Sequence, residues 1–360
     1  MRSRSRWATP AEDLITTLLM VAMTAGLFLD GWSHNMDPGE ETFLTPSHYL
    51  LYASFTATSL WILRMTFRRH PSQPVAATPV GYGQAIIGMG LFTLGGFGDA
   101  LWHAVFEFEV SIDALLSPTH VLLFIGGLLI GTSPLRSTWQ RPDPTPISAK
   151  VLVTPLISMA LAAASVGFFF QYASGFNTEA PAVDYLPVKG VVDPQAALGL
   201  AGITLTNLIL MATLLLLTRR WRVPFGTATL VIGVHAAALQ TLREFPTAEI
   251  IVGALVAGLV ADLLIARLRP SLSRLGPLRL AAATIPIVIW LTFFASFAWG
   301  RRVAWPPELW VGVTIFAAAG GAALSLVLAW PGGDHAAARG EEFGGLVGAG
   351  VAALRRDENR

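Results

Sequence analysis

Long apolar stretches without a charged side chain recur along the whole chain, and they restrict what this sequence can fold into. They cover residues 15–29, 49–63, 71–98, 121–135, 151–178, 194–218, 223–242, 250–261, 280–300 and 311–333. A helix of about 20 mostly apolar residues crosses a bilayer. Only 13% of the residues are charged, whereas soluble domains carry about 25%. We therefore expect an all-α, polytopic integral membrane protein in contact with the lipid bilayer, with about ten transmembrane helices.

Arginine and lysine residues are concentrated before the first apolar stretch and after every second one. The basic segments are 2–6, 64–69, 136–150, 219–222 and 267–279. Short cytoplasmic loops are enriched in these residues, so the pattern predicts a bacterial-type inner (plasma) membrane protein with both termini in the cytoplasm. The pair Arg301 and Arg302 does not follow this pattern. A net charge of +1 gives no support for a nucleic-acid partner.

The chain contains no cysteine. This excludes disulfides, thiolate metal sites and cysteine nucleophiles.

A two-helix unit is repeated within the first 135 residues. "DGWSH" at 30–34 is matched by "DALWH" at 99–103, and "TPSH" at 45–48 is matched by "SPTH" at 117–120. Two helices return the chain to the side where it started, so both copies point the same way. We therefore expect a duplicated hairpin in a four-helix module, with both polar ends near the outer face of the membrane.

Each copy offers one carboxylate and two imidazoles. An Asp and a His four residues apart on a helix share one face, as in Asp30 with His34 and Asp99 with His103. The other two histidines, His48 and His120, each lie in the first turn of the next helix, where the helix dipole disfavours imidazolium. Neutral imidazole binds metals, so we expect two metal sites: Asp30, His34 and His48 in one, and Asp99, His103 and His120 in the other.

The ligand types leave the metal open. Oxygen and nitrogen donors suit copper, iron(II) or zinc, and two histidines with one carboxylate are typical of non-haem iron. The alternative is that these residues only cap helices. Four acids beside the sites are candidate partners of the imidazoles or proton carriers; they are Glu41, Glu107, Glu109 and Asp113.

The same motifs resemble those of one membrane subunit of the particulate methane and ammonia monooxygenases, a family of copper membrane proteins. The Asp-x3-His segment, "TPSH", and "WHAVFEFE" (102–109) before "SPTH" carry the resemblance, which covers about residues 13–135. It implies copper at both triads. The family has Asn at the position of Asp99, and places further helices before the first motif.

The resemblance and the residues together suggest a metal-binding subunit of an oxygen-activating hydroxylase that acts on a small apolar or ammonia-like substrate. Such an enzyme requires an external electron donor and, by the resemblance, other membrane subunits. A metal acquisition or transport protein and a metal-free structural or assembly subunit are the alternatives. We divide the chain into the four-helix module (1–135), a cytoplasmic linker (136–150), a six-helix region (151–330) and a mobile cytoplasmic tail (331–360).

Overall fold

The computed structural model describes residues 6–36, 45–69, 77–106, 112–142 and 148–329. Within these ranges the chain forms twelve α-helices and three short 3₁₀ helices, and its β pairing is confined to two isolated bridges. The all-α fold class is confirmed. The α-helices are α1 (Pro10–Met36), α2 (Pro46–Phe67), α3 (Gly83–Phe106), α4 (Ile112–Leu116), α5 (Pro118–Gly131), α6 (Ser133–Trp139), α7 (Ala149–Phe169), α8 (Pro194–Arg220), α9 (Thr227–Thr241), α10 (Glu249–Leu268), α11 (Leu275–Gly300) and α12 (Pro307–Leu328).

Seven of the described helices are long and apolar enough to cross a membrane: α1, α3, α7, α8, α10, α11 and α12. Helices α5 and α6 together would make an eighth span, bent by 40°. Two predicted spans fall short of this standard. Helix α9 has only 15 residues, and α2, with 22 residues, is less apolar because hydroxyl side chains interrupt it. Seven or eight helices able to span a membrane are thus present, and the count of ten stays a prediction.

A polar network joins four chain segments at one end of the first helices. In the first turn of α1, Glu12 pairs with Arg69 after α2 at 2.8 Å, and the neighbouring Asp13 pairs with Arg141 after α6 at 2.7 Å. The hydroxyl of Tyr82, just before α3, donates to Asp13 Oδ1 at 2.9 Å. The start of α1, the end of α2, the start of α3 and the end of α6 therefore meet at the same end of the molecule.

Close helix approach holds the first helices in two pairs, α1 with α2 and α3 with α5. A Cβ placed on Gly26 of α1 would lie 2.9 Å from the Leu51 backbone of α2. On α5, a Cβ at Gly126 would lie 2.7 Å from the backbone nitrogen of Phe92 on α3. The stacked rings of Phe55 and Phe92, with centroids 4.3 Å apart, bring the two pairs together.

Helices α7 to α12 enclose the larger hydrophobic core. Polar contacts inside it position particular helices. Trp290 of α11 donates to the side-chain oxygen of Asn207 on α8. The side-chain nitrogen of Asn207 in turn donates to the Ala317 carbonyl of α12. Asp262 of α10 accepts hydrogen bonds from the backbone N–H groups of Ala228 and Thr229, and so caps α9. Asp262 therefore has a structural role, as expected for a buried carboxylate at a helix N-terminus.

The chain between α7 and α8 forms a capping segment, which we define as residues 170–183. Its three 3₁₀ helices are Gln171–Ala173, Gly175–Asn177 and Ala180–Ala182. Phe176 is buried between Trp290 and Phe293 of α11. The Gly175 N–H donates to the Thr206 hydroxyl of α8 at 2.9 Å. The six-helix region thus fixes the position of this segment.

Candidate metal centre

The first triad, Asp30, His34 and His48, forms where α1 ends and α2 begins. His48 Nε2 lies 3.3 Å from Asp30 Oδ1, and His34 Nε2 lies 3.9 Å from Asp30 Oδ2. One donor atom from each residue falls within 4.8 Å of the other two. On α1, Asp30 lies 17 residues after Asp13 of the polar network. At 1.5 Å per residue, the first triad is therefore roughly 25 Å from that network.

The second triad, Asp99, His103 and His120, has the same arrangement where α3 ends and α5 begins. His120 Nε2 lies 3.4 Å from Asp99 Oδ1, and His103 Nε2 lies 3.7 Å from Asp99 Oδ2. It is the more enclosed of the two, because the side chain of His103 is 9% exposed and that of Asp99 is 2% exposed, whereas that of His34 is 46% exposed.

The predicted helix starts at both triads are confirmed. Thr45 caps α2 and Ser117 caps α5; each side chain accepts the N–H of the ligand histidine three residues later. The proline after each cap occupies the first turn, where its missing N–H costs nothing. These caps fix the direction from which His48 and His120 approach the carboxylates.

Two hydroxyls that the sequence analysis did not single out hold the carboxylates. Ser47 donates to Asp30 Oδ1 and Thr119 donates to Asp99 Oδ1, both at 2.8 Å. Each lies directly before its ligand histidine. The repeat gave a signal for them, since both copies place a hydroxyl residue between the proline and the histidine.

The hydrogen bonds of the second triad form a chain from the ring of His120 to Asp99. Ser117 Oγ lies 2.8 Å from His120 Nδ1 and 3.0 Å from Thr119 Oγ1. If Nδ1–H donates to Ser117, Ser117 to Thr119 and Thr119 to Asp99, every hydrogen in the chain is used once. This assignment makes Nε2, the atom that faces Asp99, the acceptor nitrogen of the ring.

The donor atoms fit a metal ion. Donors that share one ion through bonds of about 2.0–2.2 Å lie roughly 3–4 Å apart, and the carboxylate–imidazole separations in both triads are within that spacing. A positive charge stabilises a buried carboxylate such as Asp99, and a metal ion held between it and the two imidazoles would supply one. The oxygen and nitrogen donors are compatible with copper, iron(II) or zinc.

Both triads face one cavity of about 790 Å³. Side chains of α1, α2, α3 and α5 line it, and the capping segment contributes Gln171, Tyr172 and Asn177. Asn35, next to the first triad, donates to Gln171 Oε1 at 2.8 Å. The six-helix region therefore completes the cavity that the four-helix module begins.

Tyr52 lies between the two helix pairs. It follows His48 by one turn of α2, and their ring centroids are 6.0 Å apart. Its ring lies against Gly96, one turn before Asp99 on α3, where a Cβ would come within 3.0 Å of Tyr52 Cε1. Tyr52 lines the same cavity as both triads.

The four predicted acidic partners are not placed by the structure. Glu41, Glu107 and Glu109 lie outside the described residues. Asp113 is in α4, but its side chain is not described. Their proposed roles stay predictions, as does that of the segment 331–360.

The chain matches no model of a known protein family, no curated protein and no solved structure. Within the residues that the structure describes, fold and site together define an all-helical protein with seven or eight helices able to span a membrane and two Asp-His-His groups able to hold metal ions. The resemblance to the particulate monooxygenases rests on the sequence motifs alone.

Proposed function

We propose that this chain is a multi-pass membrane metalloprotein that binds one copper ion at each triad, as a divergent relative of the copper-binding membrane subunit of the particulate monooxygenases. The observation that carries the proposal is Asp99. Its buried carboxylate faces two imidazole nitrogens at 3.4 and 3.7 Å and is held in place by Thr119. A cation at that point satisfies all three donors at once.

In the proposed orientation the protein lies in a bacterial-type inner membrane, with both termini in the cytoplasm and the triads near the outer face. The Glu12 and Asp13 network, which lies at the end of α1 opposite the first triad, binds Arg69 and Arg141. Both arginines belong to the clusters that the positive-inside pattern assigns to the cytoplasm. This agreement supports the orientation.

Copper would supply oxygen activation for hydroxylation of a substrate in the shared cavity. Asp30 and Asp99 supply negative charge to the ions, and the four imidazoles complete the ligand sets. The proposed proton carriers are Glu41, Glu107, Glu109 and Asp113. An external electron donor and further membrane proteins complete the proposed enzyme.

The contacts of the C-terminal helices favour this function over metal transport. A transport path would need polar groups across α9 and α10. Asp262 is engaged in capping α9, and Glu249 pairs with Arg301 at 3.4 Å at the opposite end of α10. His235, between them, is fully buried against Phe176 and Gly167.

Elemental analysis of the purified protein after copper reconstitution tests the proposal. We expect about two metals per chain, falling to about one in His34→Ala and in His103→Ala, because metal binding needs the complete ligand set. The control is His335→Ala, which removes a histidine of the predicted tail and should leave the count unchanged. A protein that binds no metal after copper or iron reconstitution would instead be a structural or assembly subunit.

Activity and transport are separated in a second experiment on vesicles. The proposed enzyme forms product only with oxygen and a reductant present. Metal uptake that continues without oxygen would contradict the enzymatic role and support transport.

A further inference from the structure

The shared cavity continues well past the two triads. Its inner part, which we call the inner chamber, is lined by Met20, Met23, Leu27, Phe92, Leu123 and Gly127. Met23 lies seven residues before Asp30 on α1, and Gly127 lies seven residues after His120 on α5. At 1.5 Å per residue the inner chamber extends roughly 10 Å beyond the triads, and Met20 carries it about 5 Å further.

The chemistry of the cavity changes along this length. Near the capping segment it is bordered by amides and a guanidinium, among them Gln171, Asn177 and Arg243. Five of the six residues of the inner chamber present thioether, leucine or aromatic side chains and the sixth is a glycine, while Thr24 adds one hydroxyl beside Met23. These apolar groups cannot compensate for the loss of water from a charged ligand. Methionine side chains also adapt to apolar ligands of different shape.

The cavity is large enough to be the binding site of an extended molecule. A cavity of about 790 Å³ lies in the range of about 300–1,000 Å³ found for pockets that bind drug-sized ligands. A molecule the size of ammonia would leave nearly all of this volume unfilled, and unfilled apolar space lacks packing contacts.

We infer that the cavity binds an alkyl-chain compound, with its chain in the inner chamber and one end beside the two triads. This names the substrate class of the proposed hydroxylase and so rests on the proposed function. It replaces a small or ammonia-like substrate with an elongated apolar one.

Gly127 allows a sharp test. A Cβ at this position would meet only Met23 and Phe92, both at 3.9 Å, so a side chain is accommodated at the cost of cavity space. Gly90 on α3 is exposed, and a Cβ there would meet nothing within 4 Å. Gly127→Leu therefore fills the inner chamber, and Gly90→Leu is its matched control on the outer surface.

The experiment uses the full-length protein in phosphatidylcholine nanodiscs and a medium-length alkyl diazirine, with labelled residues located by mass spectrometry. We expect labels on Met20, Met23 and Leu123 that excess unlabelled decane suppresses. Because a methylene group in a fitted apolar pocket changes selectivity by about tenfold or more, Gly127→Leu should lower this labelling by about tenfold. Gly90→Leu should leave it unchanged.

Three results would overturn the inference. Labels could be confined to exposed residues such as Leu94 and Leu101, or could persist in the inner chamber of Gly127→Leu. A phospholipid with a diazirine in its acyl chain could also label the chamber without competition from decane, which would make a membrane lipid the occupant. If Gly127→Leu does not fold, Met23→Phe fills the same space from α1 and is subject to the same criteria.

Metal content measured on the same samples separates this inference from the proposed function. Chamber labelling in a protein that binds no metal would contradict only the proposed function. Two bound metals in a protein without chamber labelling would contradict only the alkyl-chain ligand.

Discussion

Ser47 donates a hydrogen bond to Asp30 Oδ1, the oxygen that faces the imidazole of His48. Thr119 donates one to Asp99 Oδ1, the oxygen that faces the imidazole of His120. The bond holds Oδ1 in place and orients Oδ2 toward the histidine on the same helix as the aspartate, His34 or His103. Groups that orient metal ligands in this way contribute strongly to affinity. Each candidate site is therefore a set of four residues, of which three could offer donor atoms to an ion.

Removing these hydroxyls should weaken metal binding without abolishing it. Loss of an orienting partner costs about 10–100-fold in metal affinity, so Ser47→Ala and Thr119→Val should each weaken one of the two sites by that factor. Competition with a chelator of known affinity measures the effect. Thr56→Val is the control, because Thr56 is exposed on α2 and bonds only within its helix. Equal affinities in all three variants would show that the hydroxyls do not orient the ligands.

Among the elements, the start of α1 holds the rest of the four-helix module together. Asp13 is almost fully buried, and its carboxylate is satisfied by Arg141, Tyr82 and Ser137 from three other parts of the chain. A buried ion pair stabilises little relative to an apolar core, but loss of one partner leaves an uncompensated charge.

Arg141→Ala should therefore destabilise the protein by about 3 kcal/mol, because it leaves Asp13 buried without its cation. Arg302→Ala is the matched control. Arg302 pairs with Asp184 at the same 2.7 Å, but both side chains are more than half exposed, so its loss should cost about 1 kcal/mol or less. The free energy of unfolding in detergent micelles measures both. Similar values for the two variants would contradict the structural role of the Asp13 contact.

The grouping of the six candidate ligands was predictable because the repeat presents the same residues twice. The caps Thr45 and Ser117 followed from local rules for helix starts. The capping segment was not predictable beyond its length, because Phe176 is held by Trp290 and Phe293, residues more than a hundred positions away that leave no local pattern. The cavity was missed for the same reason, since Met23 and Gly127 look like ordinary transmembrane residues until the helices are packed together.

Arg301 and Arg302 did not fit the charge pattern, and both are paired with acids in the structure. Arg301 pairs with Glu249 and lies 3.9 Å from Glu179 of the capping segment, and Arg302 pairs with Asp184. Their charges are balanced by acids at the same end of the molecule.

At the scale of the whole molecule, the absence of cysteine makes the orientation directly testable. Val191→Cys introduces a thiol in the exposed loop before α8, and Ser273→Cys introduces one in the exposed loop between α10 and α11. In spheroplasts, which lack the outer membrane but keep the inner membrane intact, a membrane-impermeant maleimide should label Val191→Cys at once. Ser273→Cys should react only after the membrane is permeabilised. The reverse pattern would place the triads on the cytoplasmic side.

The most direct test of the account is the location of the metal itself. Diffraction data collected on crystals of the copper-loaded protein, above and below the copper absorption edge, show where copper lies. We expect two anomalous peaks, one within bonding distance of Asp30, His34 and His48 and one within bonding distance of Asp99, His103 and His120. Copper bound elsewhere, or no peak at either triad, would contradict it.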